Sequence, residues 1–315
     1  MTIIIINRSQ GASLQCGPAW DNFLYTQTRL LKLPKTIDEQ ISLLRSRNII
    51  IEDTEKIKFF LENNNYYRLM GYAFQFKSDK EVYRPGTNIT TIIGIYNFDK
   101  SLKHLILSIL EDFEISFRTK LAYYLSHQYG SECYLKKDIF IEERLYFNFI
   151  DTVEKNIKQS VNEQFVKHHF SKYDGRFPFW VLIEILSFSV ISKLFKNLNN
   201  SDKNYFSKHY YNYDAGFVEN WIHHFSVLRN TCAHYGRIYN KNLLPILKFL
   251  KEDKNKFNRT FKIFDSLFIL KKVCSDNTLW IDFLKKFENL LSEYESCIYL
   301  ELIGFQDKYL SFLKE

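Results

Sequence analysis

The 315-residue chain is poor in the residues that build tight turns, with only 10 Gly and 5 Pro. Few positions can then adopt the left-handed or closely approaching backbone that glycine permits, which argues against a fold of Gly-rich loops and for helix. No GxxxxGK[ST], GxSxG or GxGxxG occurs, so the common phosphate-cradling and nucleophile-elbow signatures are missing. Cysteine is equally sparse. Cys16, Cys133, Cys232, Cys274 and Cys297 are odd in number and form no CxxC pair, a pattern of reduced thiols rather than of a disulfide frame or a zinc site. The pairs His168-His169 and His223-His224 lack HExxH or other ligand spacing, so neither a metal nor another cofactor is expected. Nowhere do ~18 uncharged apolar residues run together, which excludes a spanning helix. The opening MTIIIINRSQ has four isoleucines but no basic flank before them and no small-residue cleavage site, so neither a signal peptide nor a membrane anchor is expected. The expected compartment is the cytoplasm.

What the chain does contain is aromatic: 29 Phe, 21 Tyr and 4 Trp, or 17% of all residues. Codon bias toward A and T accounts for part of this excess, and a chain of this length can bury most of the rest in a core. With 46% hydrophobic and 25% charged residues the composition is that of a folded globular protein. The formal charge of +7 is unevenly spread. Residues 241–275 hold nine Lys or Arg against three acids, whereas residues 276–315 hold four bases against eight acids. The basic segment is the best electrostatic footprint for a nucleic-acid backbone.

The periodicity is helical throughout. Residues 1–33 read as an irregular arm and 34–90 as a helical extension. In the latter, Thr36 and Glu39 form a capping box, Asp53 caps a second helix, and 77–90 is a turn-rich loop or short hairpin. Residues 91–245 form a bundle. Its longest stretch, from about Ile92 to Tyr129, places apolar residues at 95, 98, 102, 105, 106, 109, 110, 113, 117, 121, 124 and 125, the i, i+3, i+4 spacing of an amphipathic helix. Further helices are expected at about 142–170, at 179–198, in a short segment after it, and from Ala215 to Tyr235, with Gly236 suited to the last helix's C-terminus. Residues 246–315 form a C-terminal helical region, first basic and then acidic.

One segment concentrates chemistry. In HHFSVLRNTCAHYGRIYN, residues 223–240, Arg229, Asn230 and His234 lie within one and a half turns. On a regular helix Asn230 and His234 are ~40° apart, whereas Arg229 and His234 are ~140° apart and cannot address the same atom. The trio works together only if the helix loosens near Gly236 or if two copies face each other. It would then supply a histidine that titrates near neutrality, a guanidinium able to grip phosphate with two hydrogen bonds, and an orienting amide. These are the parts of a metal-independent ribonuclease that turns the RNA 2′-OH on its neighbouring phosphate, a reaction DNA cannot undergo. On spacing alone, a structural role in which His234 caps and Arg229 pairs with a carboxylate is the commoner reading.

Context carries the sharper reading. The RNxxxH segment resembles the signature of the HEPN superfamily of helical-bundle ribonucleases. More narrowly, the chain resembles the Abi-like (AbiD/AbiF) phage-defence branch in four ordered blocks: NYYRLMGYAFQF at 65–76, IYNFDKSLKHLILSILEDFEISFRTKLAYYL at 95–125, PFWVLIEILSF at 178–188 and LRNTCAHYGRIYN at 228–240. This resemblance implies an all-α HEPN bundle with an N-terminal helical extension, RNA cleavage during abortive infection, and Arg229, Asn230 and His234 as the catalytic set. Tyr235 departs from the pattern, since a second histidine is common there. The resemblance also implies a homodimer with one composite site, because the motif occurs once, and a small noncoding RNA as guide or restraint. The competing class is a non-catalytic RNA-binding module or a sensor of a phage protein.

The supporting candidates have bland readings too. Glu114 and Arg118 stand at i, i+4, as an exposed ion pair or as a polar wall of the site. Glu184, among apolar neighbours, is a candidate buried partner for Arg229 or a solvent-facing residue. Arg68 and Tyr67 offer a cation and a ring to RNA. Tyr235, Arg237, Lys248, Lys251, Lys254, Lys256, Arg259 and Lys262 are candidates for backbone contact.

Overall fold

A computed structural model describes residues 32–79, 81–306 and 309–314 of the chain. Cys16, the isoleucine run and nearly all of the expected arm lie outside these residues. Among the described residues the chain is all-α, with fourteen α-helices and no strand. The extension holds α1 (Ile37–Ser46), α2 (Thr54–Asn63) and α3 (Tyr66–Ala73), the last running into a 3₁₀ turn at Phe74–Phe76. Its caps are the expected ones: Thr36 and Glu39 complete a reciprocal capping box, and the Asp53 carboxylate accepts from the Lys56 N–H. The 77–88 loop is pinned by isolated bridges, Lys77 with Tyr83 and Ile50 with Asn88.

The axis of the molecule is α4 (Ile89–Tyr129), 41 residues capped by the Asn88 side chain and closed at Gly130, whose φ of 92° needs glycine. Then follow α5 (Glu143–Gln159), α6 (Gln164–Tyr173), α7 (Phe179–Leu182), α8 (Phe188–Asn197), α9 (Asn200–Tyr211), α10 (Ala215–Ala233), α11 (Lys251–Lys256), α12 (Ile263–Val273), α13 (Asn277–Glu293) and α14 (Tyr309–Lys314). Two expected helices are thus divided. The 142–170 helix breaks where the Ser160 N–H closes α5 on the Asn156 and Ile157 carbonyls and a turn at Ser160–Glu163 restarts the chain. The 179–198 helix breaks because α7 tightens into a 3₁₀ turn at Ile183–Ile185, Leu186 becomes extended, and the Ser187 side chain caps α8.

Helix α10 packs on both α8 and α4, α13 lies along α4, and α3 covers another part of it. One continuous core runs from Ile41 to Leu313. Much of the aromatic excess is here. Phe113 meets Phe225 edge-on at 5.2 Å, and Phe117 meets Phe206 at 5.4 Å and Phe195 at 5.5 Å, all fully or almost fully buried. Such contacts add ~0.5–1.5 kcal/mol per pair beyond the area they bury. No helix among the described residues is long and apolar enough to cross a membrane.

Candidate functional site

The RNxxxH segment occupies the last turn of α10 and the residues beyond it. The helix ends at Ala233, and His234 is its C-cap with φ −95° and ψ 23°. The Gly236 N–H reaches back to the Thr231 carbonyl at 2.8 Å and the Tyr235 N–H to the Cys232 carbonyl at 3.1 Å, the paired bonds of a Schellman end. The left-handed residue is Tyr235, with φ 59°, and not Gly236 as composition predicts. Glycine is needed at 236 for space: a Cβ there would meet Thr231 Cγ2 at 2.8 Å and the Thr231 carbonyl oxygen at 2.9 Å. The helix therefore loosens at His234 itself. Its imidazole is exposed and hydrogen-bonds to no described residue.

Arg229 is held from behind. Its Nε lies 3.3 Å from Glu114 Oε2, a carboxylate only 8% exposed, while the guanidinium side chain is 40% exposed. The other Glu114 oxygen pairs with Arg118 Nη2. Arg118 in turn donates from Nη1 to the Ile183 and Leu186 carbonyls at 2.6 and 2.7 Å. Both carbonyls lie at the break between α7 and α8, where the Ile183 carbonyl also accepts the Leu186 N–H at 3.3 Å, so the buried Glu114–Arg118 pair is anchored on the break. Of the alternatives left open by the sequence, Glu114 and Arg118 are buried and not an exposed pair, and Glu184 is the solvent-facing residue, so Glu114 and not Glu184 is the partner of Arg229. Asn230 donates from Nδ2 to Ser189 Oγ at 2.8 Å, which ties the motif to α8. Cys232 lies inside the motif, but burial pushes its thiol up to about 12, so it stays protonated at neutral pH.

The chain leaving the motif is clamped by the extension. Arg68 donates to the Tyr235 carbonyl, and Arg237 donates to the Gly71 carbonyl while lying over the Tyr72 ring at 6.0 Å. Asp99, fully buried on α4, accepts the N–H groups of Ile238 at 3.1 Å and Tyr239 at 2.7 Å, the Tyr72 hydroxyl at 2.6 Å and Lys103 Nζ at 2.8 Å. Burial and this carboxylate together push the Tyr72 phenol up, so it remains a donor. Sequence reasoning passed over Asp99 and Ser189. The available signal was the Asp99–Lys103 pair standing in the apolar stripe of Phe98, Leu102 and Ile106.

The other candidates disperse. Tyr67 is 77% exposed beside Arg68, and Tyr235 is 68% exposed beside His234. Lys248, Lys251, Lys254 and Lys256 have exposed side chains. Arg259 instead lies over the Phe249 ring at 5.3 Å, and Lys262 donates to Asn240 Oδ1 at 3.2 Å, its ammonium pushed down by burial and by Arg237. The basic segment is thus partly surface and partly packing, with Lys272 paired to the buried Asp253 at 2.9 Å. Among the described residues no group of three or more His, Cys, Asp or Glu side chains is placed to hold a metal ion.

A helical bundle that presents an exposed histidine at a helix end, five residues after an arginine braced by a buried carboxylate, has the parts for acid–base and phosphate chemistry. The chain belongs to the Abi-like protein family, which matches it over residues 59–240, more than half of its length, and it is in that broad sense an abortive-infection protein. That match contains all of α3 to α10 and the RNxxxH segment. No curated protein and no solved structure matches the chain.

Proposed function

We propose that this chain is a cytoplasmic, metal-independent HEPN endoribonuclease of the AbiD/AbiF type, acting in abortive infection as a homodimer and controlled by a small noncoding RNA. The observation that carries the reading is that one helix end presents an exposed His234 and, five residues earlier, a half-exposed Arg229 that the buried Glu114 carboxylate holds. In the proposed reaction one His234 takes the proton of an RNA 2′-OH, and the O2′ oxygen bonds to the adjacent phosphorus. The P–O5′ bond breaks, and the His234 of the second copy gives a proton to the departing O5′. Arg229 neutralises the charge that builds on the phosphoryl oxygens, and Asn230 orients it. Two copies answer the angular difficulty, because Arg229 of one can then face His234 of the other.

The test compares wild type with Arg229→Ala and His234→Ala for RNA cleavage in EDTA and for growth arrest in cells. Loss of both activities in each variant is expected. Equal activity in all three would remove the assigned site, and copurification of one discrete RNA that wild type never cuts would favour a binding module.

A further inference from the structure

Away from the RNxxxH segment, two hollows of about 640 and 510 Å³ meet at Trp180, which lines both together with Ser131. The larger lies between α6 and the start of α7, and the smaller between α7 and the last turns of α4. Three rings face them with much of their surface bare: Trp180 at 52%, Tyr123 at 59% and Tyr173 at 44% exposure. His127 lies against Tyr123 at 4.0 Å, and the Lys172 ammonium sits 5.3 Å from the Tyr173 ring.

The charges here are mixed. Lys172 and Arg176 stand against Glu132, Asp174 and Glu184, and Arg176 Nε is already bonded to Glu132 at 3.2 Å. Such a groove does not attract phosphate for its own sake. It offers ring faces for stacking, and carboxylates and cations for the donor and acceptor edge of a heterocycle. A relay of contacts joins it to the motif: Ile183 lines the smaller hollow and gives its carbonyl to Arg118, the partner of the carboxylate that holds Arg229. Along α4 the distance from Glu114 to His127 is about 20 Å.

We propose that this groove binds unpaired bases of a single-stranded RNA, with Trp180 and Tyr123 as stacking platforms. The proposal rests on the RNA reading above and adds a subsite to it. Base stacking of this kind changes affinity by roughly five- to a hundredfold per base when the ring is removed, with little salt dependence of its own.

The experiment measures anisotropy of a labelled, mixed-sequence single-stranded RNA on the full-length His234→Ala chain, which lacks the proposed general base and so is expected to leave the probe intact. Adding Trp180→Ala is expected to weaken binding about tenfold with an unchanged salt slope. Trp180→Phe is expected to restore most of the affinity, and a duplex of the same sequence to be indifferent to all of these changes. Tyr123→Ala provides a second, independent loss if Trp180→Ala fails to fold. Binding within about twofold of the parent in folded Trp180→Ala or Tyr123→Ala would overturn the proposal and leave the nuclease reading intact. So would loss of growth arrest by Trp180→Ala in a chain that keeps His234, with RNA affinity unchanged, which would make the groove a protein-binding surface. If the parent chain binds no single-stranded RNA at all, the nuclease reading falls and this proposal with it.

Discussion

Arg68 and Tyr235 are joined across 167 residues of sequence: Nη1 of the arginine donates to the tyrosine's main-chain carbonyl at 2.9 Å. The bond attaches the N-terminal extension to the residue directly after His234. The extension thereby acts on the geometry of the motif. On the proposed nuclease reading, Arg68→Ala is expected to lower RNA cleavage by about tenfold or more, as a misplaced reacting group does. The thermal stability should fall by less than ~1 kcal/mol, because one exposed hydrogen bond is lost. Initial rates together with a melting curve check this, and a wild-type rate would show that the clamp is idle.

Glu114 serves two guanidiniums, and its removal leaves the buried Arg118 charge without a counter-ion while the half-exposed Arg229 turns to solvent. Glu114→Gln keeps the shape and removes the charge, so about 3–5 kcal/mol of stability should be lost in urea unfolding. A loss below ~0.5 kcal/mol would return the pair to the surface reading. Replacing Glu114 and Arg118 together by apolar residues of similar volume is expected to recover part of the loss, since the uncompensated charge is then gone.

The two residues after His234 respond unequally to small changes. Gly236→Ala drives a methyl group into Thr231 and should destabilise by roughly 1–3 kcal/mol. Tyr235→Gly relieves a left-handed tyrosine, so its stability should stay within ~1 kcal/mol of wild type, as the strain relieved and the glycine entropy added are of similar size. Calorimetry of the two variants distinguishes them, and equal losses would contradict the assignment of the left-handed position to Tyr235.

His224 is buried on α10 with Nδ1 2.6 Å from the Pro245 carbonyl and Nε2 2.8 Å from Ser266 Oγ. A carbonyl only accepts, so Nδ1 carries the proton and Nε2 accepts from the serine. Burial pushes this imidazole down to about 4 from its usual 6.5. The folded protein then binds fewer protons than the unfolded chain between these values. Its contribution is present above pH 6.5, declines as pH falls, and is fully lost below about 4. The full change is on the order of 3 kcal/mol. Melting temperatures at pH 7 and pH 4.5 should differ less in His224→Gln than in wild type, and equal differences would contradict the role.

The helical grammar was legible wherever local chemistry decided the outcome. Thr36 with Glu39, Asp53, and the apolar stripe from Ile95 to Leu125 all act within a turn or two of themselves. The breaks were not legible, because they depend on distant partners. Leu186 leaves the helix where Arg118, 68 residues earlier, accommodates its carbonyl. The candidate site divides in the same way. Arg229, Asn230 and His234 announced themselves by type and spacing. The carboxylate behind Arg229 was not legible: Glu184 was the candidate from sequence, and only packing shows that Glu114 takes the place. Asp99 was hidden because an acid four residues before a lysine on a helix reads as a solvated pair. In fact both are buried, and the carboxylate holds the two N–H groups of the loop leaving the motif.

Helix α4 carries Asp99 and Glu114 on one uninterrupted rod, the former gripping the chain after His234 and the latter gripping Arg229 just before it. Adding or deleting one residue between them would rotate one grip against the other by ~100° and slide it by ~1.5 Å. Both ends of the RNxxxH segment would then be pulled out of phase at once. Length changes among related chains should therefore fall outside the 99–114 interval, where the rod tolerates no edit.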